Sequence, residues 1–386
     1  MTVAVRDVVE FAPPSIGNAE IDEAVAVLRS GWLTTGPRVE RFERLFAEYV
    51  GARCAVAVNS CTAALHLSLL AAGVGPGDEV ITTPLTFCAT ANVIVHAGAT
   101  PVFADVDSTT MNLTPEAAAA AVTPRTRAII PVHFAGRPVD TLGFRELARR
   151  ASLTLVEDAA HAVETVSRGM KIGSGTADLA CFSFYATKNL TTGEGGMVTT
   201  NRQAWADQIR VASLHGMSRT AWARYSLSGQ SLYDVVQPGF KYNMTDLQAA
   251  LGIHQLASLE ERLCRRNAIW RRYDEGLADL PVDLPAPVAS GDRHGRHLYT
   301  ILVDEATCGR TRDALRQALA DRGVVTSVHF PALHLHSYYA NRFGYQRGMY
   351  PVAEAIADRT LSLPLSASLQ DHGVDRVIDA VRESLG

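Results

Sequence analysis

Residues 79–106 read EVITTPLTFCATANVIVHAGATPVFADV, and this stretch decides the fold class. A short apolar run comes first, a helical pattern of small and apolar residues follows, and a second apolar run ends the stretch. Strands that alternate with helices predict a parallel sheet with helices on both of its faces.

The same alternation continues on both sides of this stretch. Strands are predicted at residues 55–58, 79–83, 101–106, 128–132 and 153–157, and helices at 62–72, 86–97, 115–122 and 139–150. Two more predicted strands, 180–185 and 196–200, have only about ten residues between them, which is short for a parallel crossover. One strand is therefore expected to be antiparallel. The predicted fold class is α/β, with a mostly parallel seven-stranded sheet and helices on both faces.

The pattern changes beyond about Thr245. A long helix is predicted from there to about residue 275, and a loop rich in Pro, Gly, Asp and Ala follows. Later elements are predicted as strands 298–303 and 324–329, helix 311–322 and two closing helices. A chain of 386 residues is long enough for two domains. We therefore predict an N-terminal segment (1–13), a large α/β domain (14–244) and a small α+β domain (245–386).

Composition excludes several classes of protein. The net charge is -4 and no broad basic stripe is present, so nucleic acid is not expected as a partner. No apolar run approaches the roughly 20 residues of a membrane span, and the N-terminus lacks the apolar core of a secretory signal. The six cysteines form no CxxC pair, which favours free thiols in a reducing compartment. A cytoplasmic protein without a membrane partner is expected.

One lysine and one aspartate carry the strongest chemical signal. Lys188 stands among small and apolar residues in SFYATKN (183–189), just before the glycine-rich GEGG (193–196), and burying a lysine without a chemical role is costly. Asp158 ends the apolar run LTLVED (153–158), at the sheet edge where open α/β folds bind ligands. Pyridoxal phosphate needs both groups, because an amine binds its aldehyde and a carboxylate keeps its pyridine nitrogen protonated.

Other residues fit the same cofactor, and each also has a structural interpretation. The strand-to-helix turn at Ser60 and Thr62 could bind an anion at the helix start, or Ser60 could be an ordinary N-cap. Phe87 could stack on a flat ring or belong to the core. His161 could contact a phenolic oxygen or be a satisfied core histidine. The hydroxyl of Ser183 could bind phosphate.

Taken in order, these motifs resemble the sugar aminotransferases of the DegT/DnrJ/EryC1/StrS group. That group belongs to the fold type I, or aspartate aminotransferase-like, superfamily. The resemblance covers nearly the whole chain, and its segments are TGP (35–37), FE (42–43), NSCTAALH (59–66), GDEVI (77–81), PVFADV (101–106), PVH (131–133), EDAAHA (157–162), the Lys188 segment with GG (195–196), YNM (242–244), QAA (248–250) and VHFP (328–331).

The resemblance implies a role for each matching residue. Lys188 would bind the cofactor aldehyde and Asp158 the pyridinium nitrogen, and these two would be the catalytic residues. The other cofactor contacts would be His161 at the phenolic oxygen, Phe87 against the ring, and Ser183, Thr62, the amide of Cys61 and Asn243 of the partner subunit at the phosphate. Family members are homodimers whose two active sites lie at the shared interface.

This chain departs from the common family pattern at three of these positions. His161 stands where Gln is frequent, and Cys61 stands where Gly is common. Many members carry Asn-Tyr-Arg where this chain has Lys241-Tyr242-Asn243, so the asparagine lies two positions later here.

The same resemblance suggests the reaction and the substrate. Relatives that catalyse dehydration replace the lysine with His, so Lys188 favours transamination. The segments LHGMSR (214–219) and KYNMTD (241–246) look like those of the branch that aminates C4. The predicted reaction moves the amino group of L-glutamate to the C4 ketone of a dTDP- or UDP-linked 4-keto-6-deoxyhexose. Arg219 and Lys241 could meet the diphosphate or be plain surface charges, and His329 could line the sugar pocket.

Two other classes of function remain open from the sequence. One is a different pyridoxal phosphate enzyme, either a nucleotide-sugar C3 aminotransferase or a cyclitol aminotransferase acting on an inosose. The other is a non-catalytic regulator that binds the cofactor. A regulator would not need the Lys188–Asp158 pair and would often carry a DNA-binding module, so the sequence disfavours it.

Overall fold

The computed structural model describes residues 8–218 and 233–385. Its strands are β1 (Cys54–Val58), β2 (Glu79–Thr82), β3 (Thr100–Phe103), β4 (Thr126–Ile129), β5 (Thr154–Asp158), β6 (Val166–Ser167), β7 (Met170–Lys171), β8 (Leu179–Ser183), β9 (Gly196–Thr200), β10 (Val282–Asp283), β11 (Tyr299–Val303) and β12 (Thr360–Leu363). Its α-helices are α1 (Asn18–Ser30), α2 (Pro37–Val50), α3 (Cys61–Ala71), α4 (Cys88–His96), α5 (Pro115–Ala120), α6 (Thr141–Ala151), α7 (Gln203–Ala212), α8 (Asp246–Ala257), α9 (Leu259–Leu277), α10 (Glu305–Cys308), α11 (Arg312–Asp321), α12 (Ser337–Phe343), α13 (Pro351–Arg359) and α14 (Asp371–Leu385).

Seven strands form the central sheet, in the order β1-β9-β8-β5-β4-β2-β3. Strand β9 is antiparallel to both of its neighbours, and the pairs from β8 across to β3 are parallel. The prediction of a mostly parallel seven-stranded sheet with one antiparallel strand is confirmed.

Alternation along β1 shows how the sheet buries both of its faces. Val56 and Val58 belong to one core cluster, with helix α3, and Ala55 and Ala57 belong to the cluster on the other face, with helix α2. Successive side chains of a strand point to opposite faces, so a strand covered on both sides has apolar residues at every position. This explains why the run from Ala55 reads as continuously apolar.

Polar residues lie along one edge of the sheet, at the carboxyl ends of its parallel strands. Strands β5 and β8 are parallel, so Asp158 and Ser183 both lie at the carboxyl end of their strands. Strand β9 begins at the same edge with Gly196, which pairs with Ser183 on one side and with Val58 on the other. The start of helix α3 follows directly after Val58, at this edge.

A second, smaller sheet has the order β10-β11-β12 and is antiparallel. Its core contains Trp270 and Tyr273 of α9, Tyr299 of β11 and Val377 of α14. The predicted strand 324–329 is wrong, because this segment makes only isolated bridges, such as the one between Ser327 and Ser362 of β12. Strand β11 pairs instead with β10 on one side and with β12 on the other, and the sequence pattern predicted neither of these strands.

The predicted long helix after Thr245 is two helices, α8 and α9. The break is at Ser258, whose hydroxyl donates to the carbonyl of His254 at 3.1 Å and competes with the helical ladder. Ile253 of α8 lies in the same core cluster as Phe42 of α2, so α8 packs on the large sheet. The division at residues 244 and 245 stays a prediction, and this packing favours a boundary after α8.

Two observations concern the setting of the protein. Across residues 8–218 and 233–385, no helix combines the length and the apolar character that crossing a bilayer requires. Each of the six cysteines is a free thiol. The cytoplasmic location stays a prediction.

Candidate active site

Lys188 lies in the turn that follows β8. Its backbone N–H donates to the carbonyl of Tyr185 at 2.9 Å, which fixes the turn. Burial lowers the pKa of Lys188 to about 8, although the nearby Cys61 and Asp158 oppose this shift. A lysine with such a pKa is partly an unprotonated amine near neutral pH, and the unprotonated amine is the nucleophilic form.

Asp158 is buried at the end of β5. The hydroxyl of Thr90 donates to its Oδ2 at 2.8 Å, and the N–H of Ala160 donates to its Oδ1 at 3.1 Å. Burial raises the pKa of Asp158 above its usual value. These hydrogen bonds and the charge of Lys188 oppose the rise without cancelling it. A buried carboxylate of this kind would be stabilised by a cationic partner inside the site.

The start of helix α3 offers free backbone amides. Ser60 caps the helix by accepting the N–H of Ala63 at 3.1 Å, while the amides of Cys61 and Thr62 in the first turn have no intrahelical acceptor. A Cβ on Gly196 would lie 2.5 Å from the carbonyl carbon and oxygen of Ser60 and 2.7 Å from the nitrogen of Cys61. Only glycine therefore lets β9 pass directly beneath the helix start.

Two rings flank the open side of the edge. His161 is buried, and its Nδ1 accepts the N–H of Ala135 at 3.2 Å. Phe87 precedes α4 with 60% of its surface exposed. Both rings approach Phe330, with centroid distances of 6.1 Å for His161 and 6.2 Å for Phe87. An exposed aromatic face next to Phe330 suits a flat ligand better than it suits a core.

His329 lies on the small-domain side. Its Nδ1 is 2.9 Å from the hydroxyl of Ser362, and its ring stacks on Phe11 at a centroid distance of 5.6 Å. Burial and the charge of Lys188 lower the pKa of His329 to about 4. The imidazole is therefore neutral near pH 7, which suits a neutral hydroxyl more than an anion.

Lys241 and Asn243 contact each other rather than the centre of the site. The ammonium of Lys241, which is exposed, donates to Oδ1 of Asn243 at 2.7 Å, and Nδ2 of Asn243 donates to Thr35 at 2.8 Å. The backbone carbonyl of Lys241 accepts from Asn59 at 3.2 Å, which places this segment beside the start of α3. Arg219 lies outside the described residues.

The structure brings most of the predicted residues to one edge of the sheet. Lys188 interacts electrostatically with Asp158, Cys61, His161 and His329, so these groups lie near one another. Ser183 pairs with Gly196, and Thr62 belongs to the first turn of α3, whose start lies against Gly196. The role assigned to each residue stays a prediction.

The sequence interpretation missed four polar residues at this site. They are Thr90, which donates to Asp158, and the linked group Glu164, Asn189 and His297 next to Lys188. Asn189 had a signal, because it follows Lys188 directly. His297 had none, because it belongs to a loop-like run of Gly, Arg and His that folds back onto the site only in three dimensions.

The residues present fit pyridoxal phosphate. The edge holds an amine with a lowered pKa, a buried carboxylate, and free helix amides above a glycine that leaves room for close approach. Those are the groups that an aldehyde, a pyridine nitrogen and a phosphate need.

Comparison with known proteins agrees with this assignment. The model of the DegT/DnrJ/EryC1/StrS aminotransferase family matches residues 14–382. The spore coat polysaccharide biosynthesis protein SpsC of Bacillus subtilis is 52% identical over 374 residues, which cover 97% of this chain and 96% of SpsC.

Solved structures give the same result. The putative sugar aminotransferase Spr1654 from Streptococcus pneumoniae, in its PMP form, has a TM-score of 0.90 and 36% identity, covering 97% of this chain and 98% of Spr1654. Spr1654 is also solved in a PLP form. Helicobacter pylori PseC, an aminotransferase involved in the biosynthesis of pseudoaminic acid, has a TM-score of 0.91 and 28% identity, covering 98% of this chain and 99% of PseC.

These comparisons confirm the predicted family, the fold type I architecture, the aminotransferase activity and pyridoxal phosphate as the cofactor. The chain belongs to the DegT/DnrJ/EryC1/StrS aminotransferase family.

Proposed function

We propose that this enzyme transfers the amino group of L-glutamate to the C4 ketone of a nucleotide-linked 4-keto-6-deoxyhexose, with dTDP or UDP as the nucleotide. The observation that carries the transfer reaction is the amine of Lys188, with its pKa lowered to about 8, beside the buried carboxylate of Asp158. An acid–base group with a pKa near the working pH can both accept and return a proton.

When bound, pyridoxal phosphate supplies an electron sink that lets the bond between hydrogen and the amino-bearing carbon break. Lys188 would hold the cofactor aldehyde, and its Nζ, once the amino donor has replaced it there, would move the proton. Asp158 would hold the proton on the ring nitrogen, and Thr90 and the amide of Ala160 orient this carboxylate. His161 would donate to the phenolic oxygen, and Phe87 would cover the ring.

The phosphate would be held at the start of α3. The amides of Cys61 and Thr62 would donate to it, because a helix N-terminus favours an anion, and the hydroxyl of Ser183 would add a further donor. We propose that the enzyme is a homodimer in which Asn243 of the partner subunit completes this shell. Within one chain Asn243 bonds Lys241 and Thr35, so dimer formation would redirect its amide.

The proposed acceptor is a sugar. The neutral imidazole of His329 suits a sugar hydroxyl. SpsC is named for polysaccharide biosynthesis and PseC for the biosynthesis of pseudoaminic acid, and these names point to a sugar substrate. Arg219 and Lys241 would bind the diphosphate of the nucleotide. The segments 214–219 and 241–246 look like those of the branch that aminates C4, and this resemblance supports C4 over C3 as the position of the ketone.

The first experiment is a spectroscopic titration of the two half-reactions. The purified enzyme is loaded with pyridoxal phosphate, converted to the pyridoxamine form with L-glutamate, and freed of excess donor. Addition of dTDP-4-keto-6-deoxyglucose is expected to restore the visible colour of the lysine-bound cofactor. The 4-hydroxy analogue is expected to leave the spectrum unchanged.

Two variants serve as controls. Lys188→Ala removes the amine and is expected to abolish both half-reactions. Lys171→Ala removes a lysine that pairs with Glu260 and is expected to leave both rates unchanged. If glutamate bleaches the wild-type enzyme but the keto sugar restores no colour, the 4-keto sugar is the wrong acceptor, and 3-keto sugars and inososes are tested next.

A further inference from the structure

Two buried hydroxyl groups form a chain of hydrogen bonds that ends on the carboxylate of Asp158. Oγ1 of Thr86 lies 2.9 Å from Oγ1 of Thr90, and Oγ1 of Thr90 lies 2.8 Å from Oδ2 of Asp158. All three side chains are buried. Buried polar groups that water does not reach depend on such protein partners, so both hydroxyl contacts matter to the folded state.

The carboxylate fixes the direction of both hydrogen bonds. A threonine hydroxyl has one proton to donate, and an ionised carboxylate only accepts. Thr90 therefore donates its proton to Oδ2 of Asp158 and can only accept from Thr86. It follows that Thr86 is the donor of the first bond, and that both O–H dipoles point towards the charge of Asp158.

The start of helix α4 holds the two threonines in place. They are four positions apart, and the N–H of Thr90 donates to the carbonyl of Phe87 at 3.2 Å. A threonine hydroxyl inside a helix commonly turns back to a carbonyl of the preceding turn. The hydroxyl of Thr90 instead contacts the side chains of Thr86 and Asp158, so the helix presents it to the carboxylate of β5.

Asp158 is held at both of its oxygens. Oδ2 accepts from Thr90, and Oδ1 accepts the N–H of Ala160 at 3.1 Å. Each carboxylate oxygen has room for a second donor, so a cationic partner can still bind. Donors to a carboxylate stabilise its ionised form, and a donor that itself accepts a hydrogen bond is polarised and becomes a stronger donor.

We propose that Thr86 is a positioning residue, whose hydroxyl acts through Thr90 to keep the carboxylate of Asp158 ionised and aimed at the ring nitrogen of the cofactor. The inference rests on the proposed function, in which Asp158 holds the proton on that nitrogen. Thr86 itself touches neither the cofactor nor the substrate, and its effect passes through the hydroxyl of Thr90.

The effect on Asp158 is tested first, without cofactor, by ¹³C NMR of apoenzyme labelled at its aspartate carboxyl carbons. Asp158→Asn identifies the signal of Asp158, and a pH titration gives its pKa. Thr90→Val is expected to raise the pKa of Asp158, because the ionised form loses a donor. Thr86→Val is expected to raise it less, because it only weakens that donor.

Thr199→Val is the matched control. The hydroxyl of Thr199 is also buried, but it donates to the carbonyl of Gly173 at 3.0 Å. This variant is expected to leave the pKa of Asp158 unchanged. The proposal is overturned if Thr86→Val also leaves this pKa at its wild-type value, or if Thr199→Val raises it as much as Thr86→Val does.

The route through Thr90 is tested by a double-mutant cycle in the glutamate half-reaction. Thr90→Val should lower the rate constant roughly ten- to a hundredfold, since a charged acceptor loses a donor. Thr86→Val should lower it roughly two- to tenfold, the range for a bond between neutral groups. The double variant should be no slower than Thr90→Val alone, because Thr86 then has no hydroxyl to act on.

Thr86→Ser separates the hydroxyl from the packing of the methyl group. This variant keeps the donor and is expected to retain most of the wild-type rate. Equal losses in Thr86→Ser and Thr86→Val, or losses that multiply in the double variant, would show that Thr86 acts by packing or independently of Thr90.

The glutamate half-reaction contains no sugar, so an error in the proposed acceptor cannot imitate these results. If the wild-type enzyme did not react with glutamate at all, the proposed amino donor would be wrong. The titration of the apoenzyme would still decide whether Thr86 and Thr90 act on Asp158.

Discussion

The two ends of the active site use different parts of the chain: one uses backbone atoms and the other uses side chains. At the end proposed to bind the phosphate, the start of α3 lies against Gly196, and the interaction that matters is the steric one between two stretches of main chain. At the proposed ring end, the groups that matter are side chains: Asp158, His161 and His297 are buried, and Lys188 is half-buried. The phosphate end depends on the missing side chain of Gly196. The ring end depends on the protonation states of Asp158 and Lys188.

This difference predicts how each end fails. A Cβ added at Gly196 would meet backbone atoms at 2.5–2.7 Å, so the two stretches of main chain would have to move apart and the loss would fall on cofactor affinity. A change at the ring end leaves a buried charge or proton without its partner, which low-dielectric surroundings make expensive. The ring end should therefore show the larger effects.

The largest expected effect is that of Asp158→Asn. The amide keeps the shape but cannot hold a proton on the ring nitrogen. Loss of one partner of a buried charge pair costs about 3–5 kcal/mol, so kcat should fall roughly a hundred- to several-thousand-fold. Steady-state kinetics measures this, with Asp207→Asn, a surface change on α7, as the control that retains activity. A kcat within tenfold of wild type would contradict the role of Asp158.

The next effect concerns stability beside the ring end. Glu164 pairs with Arg266, both are buried, and Glu164 also accepts from Asn189. Glu164→Ala leaves the guanidinium without its partner, so the free energy of unfolding should fall by about 3–5 kcal/mol. The matched change at the exposed pair of Glu146 and Arg149, Glu146→Ala, should cost no more than about 1 kcal/mol.

Urea unfolding, followed by circular dichroism, compares the two variants. Equal midpoints for Glu164→Ala and Glu146→Ala would show that burial of the Arg266 pair adds nothing to stability.

The sequence predicted what depends on local pattern. The alternating apolar runs gave the seven strands, and the isolated lysine and the strand-end carboxylate gave Lys188 and Asp158. The pattern failed where distant segments decide the outcome. Strand β12 forms because Thr360–Leu363 pairs with β11, a segment about 60 residues earlier. The short segment has no periodicity of its own that would predict a strand. His297 contacts Asn189, which lies more than a hundred positions earlier in the chain, and this contact exists only in the folded protein.

A moderate effect is expected from Gly196→Ala at the phosphate end. The new Cβ would meet backbone atoms of Ser60 and Cys61 at 2.5–2.7 Å, and overpacking of this kind costs about 1–3 kcal/mol. We expect pyridoxal phosphate to bind roughly ten- to a hundredfold more weakly, while bound enzyme keeps most of its kcat. Gly75→Ala is the matched control, because nothing lies within 4 Å of its Cβ position. Equal affinities by fluorescence titration would mean that the helix start tolerates the added methyl group.

The smallest expected effect needs no mutation, because it follows from the titration of Lys188. Burial lowers its pKa to about 8, so the nucleophilic amine is present above that pH and lost below it. Binding of pyridoxal phosphate by the apoenzyme, followed by the absorbance of the lysine-bound cofactor, should accelerate about fivefold between pH 7 and 8 and level off above about pH 9. An exposed lysine, with a pKa of about 10.4, would instead accelerate about tenfold per pH unit throughout this range. The lowered pKa of Lys188 also makes the free energy of unfolding depend on pH. Between about pH 8 and 10 the unfolded chain retains a proton that the folded apoenzyme has released, so the folded state gains stability as the pH rises. A rate that still climbs about sevenfold from pH 9 to 10 would mean that Lys188 is solvated like a surface lysine, and the ring end would then lose the property that sets it apart from the phosphate end.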